Sequence, residues 1–85
     1  MTGMIRVRLL LFAVLRDIVG SEERLLSLPD GATALDVWNE LRRDHGALGA
    51  YERPPLTAVN QEYAAPESRL HDGDELAFIP PVSGG

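Results

Sequence analysis

The first regular pattern along the chain is an alternation of apolar and polar residues. Four aliphatic residues fall on one side of an extended backbone: Ile5, Val7, Leu9 and Leu11. The other side carries Arg6, Arg8, Leu10 and Phe12. This period of two predicts a strand whose aliphatic side faces the core. Its outer side changes from charged to apolar along the strand, so we expect another surface to cover the apolar end.

Two segments have the pattern of helices. Residues 13–19 suit a short helix that ends at Gly20. A longer helix follows Thr33, a good N-cap, and carries Asp36 in its first turn, where the helix dipole favours an acid. It is predicted to end near His45. Its apolar stripe, including the tryptophan, is expected to lie in the core and consists of Ala34, Leu35, Val37, Trp38 and Leu41.

Three further strands are predicted from short apolar or alternating runs: residues 23–28, 57–60 and 75–80. Turn signatures separate these elements: Pro29-Asp30-Gly31, Asn60-Gln61 and Asp72-Gly73-Asp74. Residues 47–55 have neither pattern and are predicted to form a loop. The order of elements predicts an α+β domain with one main helix packed on a mixed sheet. In such a topology the first and last strands can pair in parallel at the sheet centre, which is the β-grasp, ubiquitin-like arrangement.

The composition fits one small domain. The chain has 85 residues, of which 45% are hydrophobic, enough for a modest core. We expect a domain at residues 4–82 and a flexible tail at residues 83–85. Cysteine is absent from the sequence, which excludes disulfides, thiolate metal sites and a cysteine nucleophile. Without a secretory signal pattern or a stretch of transmembrane length, the chain is predicted to be cytoplasmic and not bound to a membrane.

The charge of the chain bears on its partners. Thirteen acidic residues against eight basic residues give a net charge of −5. An acidic chain is a poor ligand for nucleic acid, so we expect no nucleic acid partner. The same charge favours docking to a basic protein surface, mainly through the association rate.

No active site or metal site stands out in the sequence. His45 and His71 lack metal-type spacing, and no cysteine lies near them. Asp72, Asp74 and Glu75 do not have the spacing of a calcium loop, so they form either a solvated turn or a docking patch. These features favour a partner or substrate of enzymes over an enzyme.

The chain ends in two glycines that closely follow a predicted strand and a pair of prolines. Pro80 and Pro81 favour extended backbone. Gly84 and Gly85 have no Cβ and can enter a channel too narrow for a side chain. Such a tail delivers the α-carboxylate of Gly85, which becomes a good electrophile only after activation, for instance by adenylation. The alternative is that the two glycines are a frayed linker without a role.

An apolar patch is predicted on the outer face of the sheet. If the first and last strands pair, this face gathers five residues: Leu10, Phe12, Tyr63, Ala77 and Ile79. An apolar patch beside a reactive tail forms a protein-docking surface. The alternative is that the loop at residues 47–55, or the short helix, covers the patch.

Three segments carry recognisable motifs. The first is Phe12-Ala13-x-x-Arg16-Asp17-x-x-Gly20, and the second is Ala58-Val59-Asn60-Gln61. The third is the C-terminal run Asp72-Gly73-Asp74-Glu75-Leu76-Ala77-Phe78-Ile79-Pro80-Pro81-Val82-Ser83-Gly84-Gly85. Together they resemble the small subunits of molybdopterin synthase. Asp17 stands where that family usually has glutamate, Ile79 stands where phenylalanine is common, and three residues precede Met4.

The resemblance implies a β-grasp sulfur carrier. In the family, an ATP-dependent enzyme adenylates the terminal glycine, and sulfur transfer then gives a thiocarboxylate. The tail enters the large subunit and gives sulfur to a cyclic pyranopterin precursor, within a heterotetramer of two small and two large subunits. The resemblance therefore implies that the nucleotide is attached to this chain as a glycyl adenylate. It implies neither a bound cofactor nor an active site within the chain.

Carried over to this chain, the resemblance makes Gly85 the residue that holds the adenylate and then the sulfur. The residues implied to thread the channel are Pro81, Val82 and Gly84. The residues implied to dock are Leu10, Phe12, Tyr63 and Ile79. Related carriers for thiamine or cysteine biosynthesis, and a ubiquitin-like adaptor without tail chemistry, remain alternatives. The Phe-Ala-x-x-Arg segment and the proline pair favour the molybdenum pathway.

Overall fold

Five strands form one mixed sheet in a computed structural model that describes residues 3–51 and 55–80. The strands are β1 (Met4–Leu11), β2 (Glu23–Pro29), β3 (Leu56–Val59), β4 (Glu62–Tyr63) and β5 (Glu75–Ile79). Their spatial order is β2-β1-β5-β3-β4, with β1 and β5 parallel at the centre and the other pairs antiparallel. The predicted α+β, β-grasp arrangement is confirmed.

The two faces of the sheet follow from the register of its central pair. Leu9 lies opposite Leu76. Leu11 lies opposite Phe78. All four side chains are buried. Because side chains alternate along a strand, the residues between them point to the opposite face. The inner and outer faces predicted for β1 are therefore confirmed.

Helix α2 (Ala34–Asp44) packs on the inner face of this sheet. It begins with a capping box, in which the N–H of Asp36 donates to Thr33 Oγ1 at 3.2 Å and the N–H of Thr33 donates to Asp36 Oδ2 at 3.0 Å. It ends at His45, whose N–H donates to the carbonyl of Leu41 at 2.8 Å. The predicted start and end of this helix are confirmed.

Most of the predicted apolar stripe on α2 lies in the core. The fully buried members are Ala34, Val37, Trp38 and Leu41. Leu35 is only half-buried, which corrects its placement in the stripe. At 3.6 residues per turn, Leu35 lies about 100° around the helix axis from Ala34, at the margin of the buried side.

Helix α1 (Ala13–Val19) has the predicted bounds. Gly20 ends it in the left-handed conformation, with a φ of +86°, and its N–H donates to the carbonyl of Arg16 at 2.8 Å. Leu15 and Val19 are buried and fix the helix to the core. The helix thus packs on the same side of the sheet as α2.

The predicted loop at residues 47–55 is partly wrong. Gly46–Ala50 form a 3-10 helix, and its Leu48 is fully buried. The N–H of Leu48 donates to the carbonyl of His45 at 3.0 Å, and the N–H of Tyr51 donates to that of Leu48 at 3.1 Å. One buried leucine in so short a helix creates no periodicity that a sequence pattern detects. Residues 52–54 lie outside the described residues.

The remaining boundaries differ from prediction by about one residue. Strand β3 begins at Leu56, one residue earlier than predicted, and β5 ends at Ile79, one residue earlier than predicted. The predicted boundary between domain and tail, after Val82, lies outside the described residues and stays a prediction. Within the described residues, no helix is long and apolar enough to cross a membrane.

Replacing Trp38 with alanine is expected to lower the free energy of unfolding by about 3–5 kcal/mol, because removal of a buried ring leaves a cavity. Trp38 meets Phe78 edge to face with ring centroids 5.3 Å apart, and it meets Tyr51 at 6.4 Å. Chemical denaturation followed by circular dichroism measures the loss, since the chain has no second tryptophan for fluorescence.

The matched control for this prediction is Asn39→Ala, on the exposed side of α2. It should change the free energy of unfolding by less than about 0.5 kcal/mol. Equal midpoints for Trp38→Ala and the control would contradict the buried position of the ring.

Candidate functional site

The outer face of the sheet carries a row of apolar side chains. Leu10 lies opposite Ala77, and Ala77 lies opposite Ala58. Ala58 in turn lies opposite Tyr63 on β4. This row crosses four strands, and its four residues lie outside the hydrophobic core of the inner face.

A second apolar row lies nearer the C-terminal end of β5. Leu56 lies opposite Ile79 in this row. Phe12 continues β1 in an extended conformation, with φ −119° and ψ 150°, so alternation places it on the same face. Together the two rows form the outer apolar surface, which consists of Leu10, Phe12, Leu56, Ala58, Tyr63, Ala77 and Ile79.

Exposure within the outer apolar surface is uneven. Phe12 is 45% exposed, Leu56 is 51% exposed and Tyr63 is 78% exposed. Ala58 and Ala77 are only 7% exposed, although they face away from the core. Two short side chains therefore form a low centre between larger apolar neighbours. Such an apolar surface is suited to receive side chains of another protein.

The structure places all four predicted docking residues, Leu10, Phe12, Tyr63 and Ile79, in the outer apolar surface. Sequence reasoning missed Leu56, because it started the third strand one residue too late. The signal that finds it is the alternation of β3, which places residues 56 and 58 on the same face. The docking role of these residues stays a prediction.

Within the described residues, neither the segment after α2 nor the short helix α1 covers the outer apolar surface. Leu48 of the 3-10 helix and Leu15 of α1 are buried in the core of the inner face. Both elements therefore pack on the side of the sheet opposite the outer apolar surface. This arrangement leaves Phe12, Leu56 and Tyr63 exposed.

An ion-pair network borders the outer apolar surface on its polar side. Arg8 on β1 pairs with Glu75 on β5 and with Glu23 on β2, where Arg8 Nε lies 3.3 Å from Glu23 Oε1. The hydrogen bond to Glu75, followed by the charges of Glu75 and Glu23, raises the pKa of the Arg8 guanidinium above its ordinary value. Arg8 and its two carboxylate partners therefore form a charged border of the outer apolar surface.

The acidic turn before β5 has a structural role. Asp74 is 12% exposed and accepts hydrogen bonds from the N–H of His71 at 2.7 Å and from the side-chain amide of Asn60 at 3.0 Å. Asp72 accepts from the N–H of Arg6 at 2.8 Å. These bonds favour the turn over the docking patch as the role of the acids. Across residues 3–51 and 55–80, no cluster of histidine and acidic side chains is suited to a metal ion.

The hairpin turn between β3 and β4 is hydrogen-bonded to the start of β5. Asn60 and Gln61 have φ values of +52° and +69°, as in a two-residue type I′ hairpin turn. The N–H of Asn60 donates to the carbonyl of Glu75 at 2.8 Å, and the N–H of Glu75 donates to Asn60 Oδ1 at 3.0 Å. This clasp fixes β3 against the start of β5 and so aligns the two alanines of the outer apolar surface.

Strand β5 connects the outer apolar surface to the C-terminal segment. Ile79 belongs to the surface, and Pro80 is the last described residue. The roles predicted for the tail residues stay predictions, because these residues lie outside the described part of the chain: Pro81, Val82, Gly84 and Gly85. Covalent geometry alone limits the five residues after Pro80 to a span of at most about 18 Å.

Comparison with known proteins identifies the family. The sequence model of the ThiS family matches residues 9–85. The chain belongs to the ThiS family. This ThiS-family chain is 39% identical over 82 residues to the molybdopterin synthase sulfur carrier subunit of Chlamydomonas reinhardtii, an alignment that covers 94% of this chain and 99% of that one. It is 35% identical to the subunit of the same name from Homo sapiens, across the whole of both chains.

A solved structure matches the fold of the ThiS-family chain. The crystal structure of small archaeal modifier protein 1 from Haloferax volcanii superposes on it with a TM-score of 0.77 at 30% identity, covering 92% of this chain and 99% of that one. The resemblance to the small subunits of molybdopterin synthase, first indicated by three short motifs, is confirmed by the full-length relatives.

Replacing Asp74 with alanine is expected to lower the free energy of unfolding by about 1–3 kcal/mol, because the N–H of His71 and the amide of Asn60 lose their acceptor. Urea denaturation measures the loss. The control is Asp17→Ala, which removes an exposed carboxylate 3.6 Å from Arg16 and should cost less than about 1 kcal/mol. Equal costs for the two substitutions would show that the acidic turn contributes no more than a surface ion pair.

Proposed function

We propose that this ThiS-family chain is the sulfur carrier subunit of a molybdopterin synthase. One observation carries the proposal: β5 supplies Ile79 to the outer apolar surface and then leads to Gly84 and Gly85. The proposed docking surface and the chemical handle are thus close together in the sequence. The names of the curated relatives support this pathway over those of related carriers.

The chemistry resides in the α-carboxylate of Gly85. A carboxylate oxygen attacks the α-phosphate of ATP, pyrophosphate leaves, and the terminal glycine becomes an acyl adenylate. Sulfur at the oxidation level of sulfide (HS⁻) then attacks the acyl carbon, AMP leaves, and loss of the proton gives a thiocarboxylate (1-thioglycine). The chain needs no bound cofactor of its own, since the nucleotide is delivered by the ATP-dependent adenylating enzyme.

Sulfur is used in the large subunit of the synthase. The thiocarboxylate enters its active site and gives sulfur to a cyclic pyranopterin precursor. Two carriers, in a heterotetramer of two small and two large subunits, supply both sulfurs of the dithiolene. The chain acts as the sulfur-donor subunit, while the catalytic groups belong to its partner. ATP-dependent activation fits a location in the cytoplasm.

The dimensions of the chain limit where the partner binds. The five residues after Pro80 span at most about 18 Å, so an active site that receives Gly85 lies within that distance of the end of β5. A protein that holds the tail there lies close to Ile79, and therefore within reach of the outer apolar surface. Pro81 restricts the backbone at the start of the tail, Val82 follows it, and Gly84 presents no side chain to a channel. The net charge of −5 favours a basic rim on the partner.

A protein modifier is the second candidate function, and the 30% identity to small archaeal modifier protein 1 favours it. Activation of Gly85 is the same in both functions. In a modifier, however, a side-chain amine of a target protein attacks the acyl carbon, AMP leaves, and an amide forms. The two functions therefore differ in the nucleophile and in the mass of the product.

Intact-mass spectrometry tests the proposed function. Incubation with ATP, the adenylating enzyme and a sulfur source is expected to add the mass difference between sulfur and oxygen. Addition of the large subunit and the precursor should return the original mass. A covalent conjugate with a second protein would favour the modifier instead. A chain whose mass never changes would sink both functions and leave a non-covalent adaptor.

Gly85→Val is expected to yield little or no thiocarboxylate, because the added side chain meets the wall of a channel that fits glycine. Binding to the large subunit should stay within a few-fold of wild type, since docking rests on the sheet face. Mass spectrometry and calorimetry measure the two effects. Ser83→Ala is the control and should gain the sulfur mass normally. Activation of Gly85→Val at the wild-type rate would refute the narrow channel.

Phe12→Asp is expected to weaken binding to the large subunit more than tenfold, which corresponds to about 1.4 kcal/mol, because a charge then lies in an apolar contact. The monomer should stay folded, since Phe12 is 45% exposed. Calorimetric titration measures the affinity. The control is Asn39→Asp, which adds the same charge to the exposed side of α2, on the opposite side of the sheet from the outer apolar surface. Equal loss of binding in both variants would argue against docking through this surface.

A further inference from the structure

Ala13 has an unfavourable backbone conformation at the junction of β1 and α1. Its φ of +52° lies in the left-handed region, where the Cβ of an L-residue is crowded by the backbone. Among the described residues, the other non-glycine positions with positive φ are Asn60 and Gln61. A type I′ hairpin turn requires positive φ at both of those positions. A junction between a strand and a helix has no such requirement, so the conformation of Ala13 needs its own explanation.

The conformation of Ala13 is imposed by its neighbours. The side chain of Ala13 is exposed, and no side chain caps the start of α1. On one side, the N–H of Leu11 donates to the carbonyl of Glu22 at 2.9 Å and anchors the end of β1. On the other side, Leu15 is fully buried, and its N–H donates to the carbonyl of Phe12 at 3.1 Å. The chain turns from strand to helix between these anchors, and Ala13 accommodates the turn.

This turn determines where Phe12 points. Leu11 and Leu15 are buried, whereas Phe12 between them is 45% exposed. Phe12 and Leu10 line the same shallow cleft, together with Arg16. A negative φ at residue 13 would redirect the chain and break one of the two anchors. The left-handed residue therefore holds Phe12 beside Leu10 on the outer face.

We propose that Ala13 is a positioning residue that orders Phe12 before a partner binds. The inference rests on the proposed docking role of Phe12. In the left-handed region alanine has one narrow energy well, whereas glycine has wide freedom at positive φ. The Cβ of Ala13 thus restricts backbone motion next to Phe12. A docking side chain that is already ordered in the free protein loses less entropy on binding. The local strain at Ala13 would in this way favour binding.

Ala13→Gly separates positioning from stability. Glycine relieves the strain at an exposed position, so the denaturation midpoint should equal or exceed that of wild type. The added freedom should loosen Phe12 and weaken binding to the large subunit by about threefold to tenfold, the range expected when one side chain must be ordered on binding. A purely structural role would instead move stability and affinity in the same direction.

Fluorine NMR provides a readout that needs no partner. The chain has two phenylalanines, the exposed Phe12 and the buried Phe78, so labelling with fluorophenylalanine gives one signal for each. Relaxation of the Phe12 signal should report faster motion in Ala13→Gly. The Phe78 signal should not change and serves as the internal reference.

D-Alanine at residue 13 is the matched control. D-Alanine prefers positive φ, a conformation that glycine also adopts, but its Cβ still restricts the motion of the backbone. A chain made by chemical synthesis with this single inversion at Ala13 should be at least as stable as wild type. It should also keep the wild-type motion of Phe12 and the wild-type affinity for the large subunit.

Unchanged Phe12 relaxation and unchanged affinity in Ala13→Gly would overturn the proposal. A midpoint clearly below wild type for the glycine or the D-alanine chain would also overturn it, because Ala13 would then not be strained. Failure of the wild-type chain to bind the large subunit would count against the proposed function alone. In that case the fluorine relaxation of Ala13→Gly still decides whether Ala13 orders Phe12.

Discussion

The parallel pairing of β1 with β5 is the contact on which the other features of the molecule depend. It brings Arg8 next to Glu75, which are 67 residues apart in the chain. Closing so long a loop costs conformational entropy, and the buried row on the inner face offsets that cost through hydrophobic burial. Phe78 belongs to that row and packs against Trp38 of α2. The same pairing creates the outer apolar surface, so the packed core and the proposed docking surface have one structural origin.

The parts of the fold that the sequence predicts are those governed by contacts between near neighbours. The bounds of α1 and the capping box at Thr33 follow from local hydrogen bonding and periodicity. The burial of Leu48 does not, because it depends on α1 and α2 each contacting the short 3-10 helix. The hydrogen bond from the side-chain amide of Asn60 to Asp74 joins residues that are 14 positions apart, and a pattern along the sequence does not reveal such a bond.

The residues of the candidate site also differ in whether the sequence predicts them. Leu10 and Phe12 were predictable, because alternation along one strand fixes which side chains share a face. Leu56 was missed, because the predicted third strand began one residue too late, and the start of so short a strand is set by its pairing with β5. The positive φ of Ala13 was also hidden, because a common residue gives no sign of an uncommon conformation. It arises from the anchors on both sides of the junction, which become visible only when β1 and α1 are placed together.

The inner face of the sheet stabilises the fold, whereas the outer face stays exposed. The register of the strands determines which side chains lie on each face. The inner face is closely packed, whereas the outer face keeps large apolar side chains exposed beside a strained alanine. A small, marginally stable domain tolerates such an outer face only while the inner face holds the fold. A slip of one residue in β1 would expose Leu9 and bury Leu10, which would exchange the two roles. The N–H of Arg8 donates to the carbonyl of Asp74 at 2.9 Å, and Asn60 holds the side chain of the same aspartate. These bonds fix the register at the start of β5, so the turn before β5 supports the proposed docking surface as well as the stability of the fold.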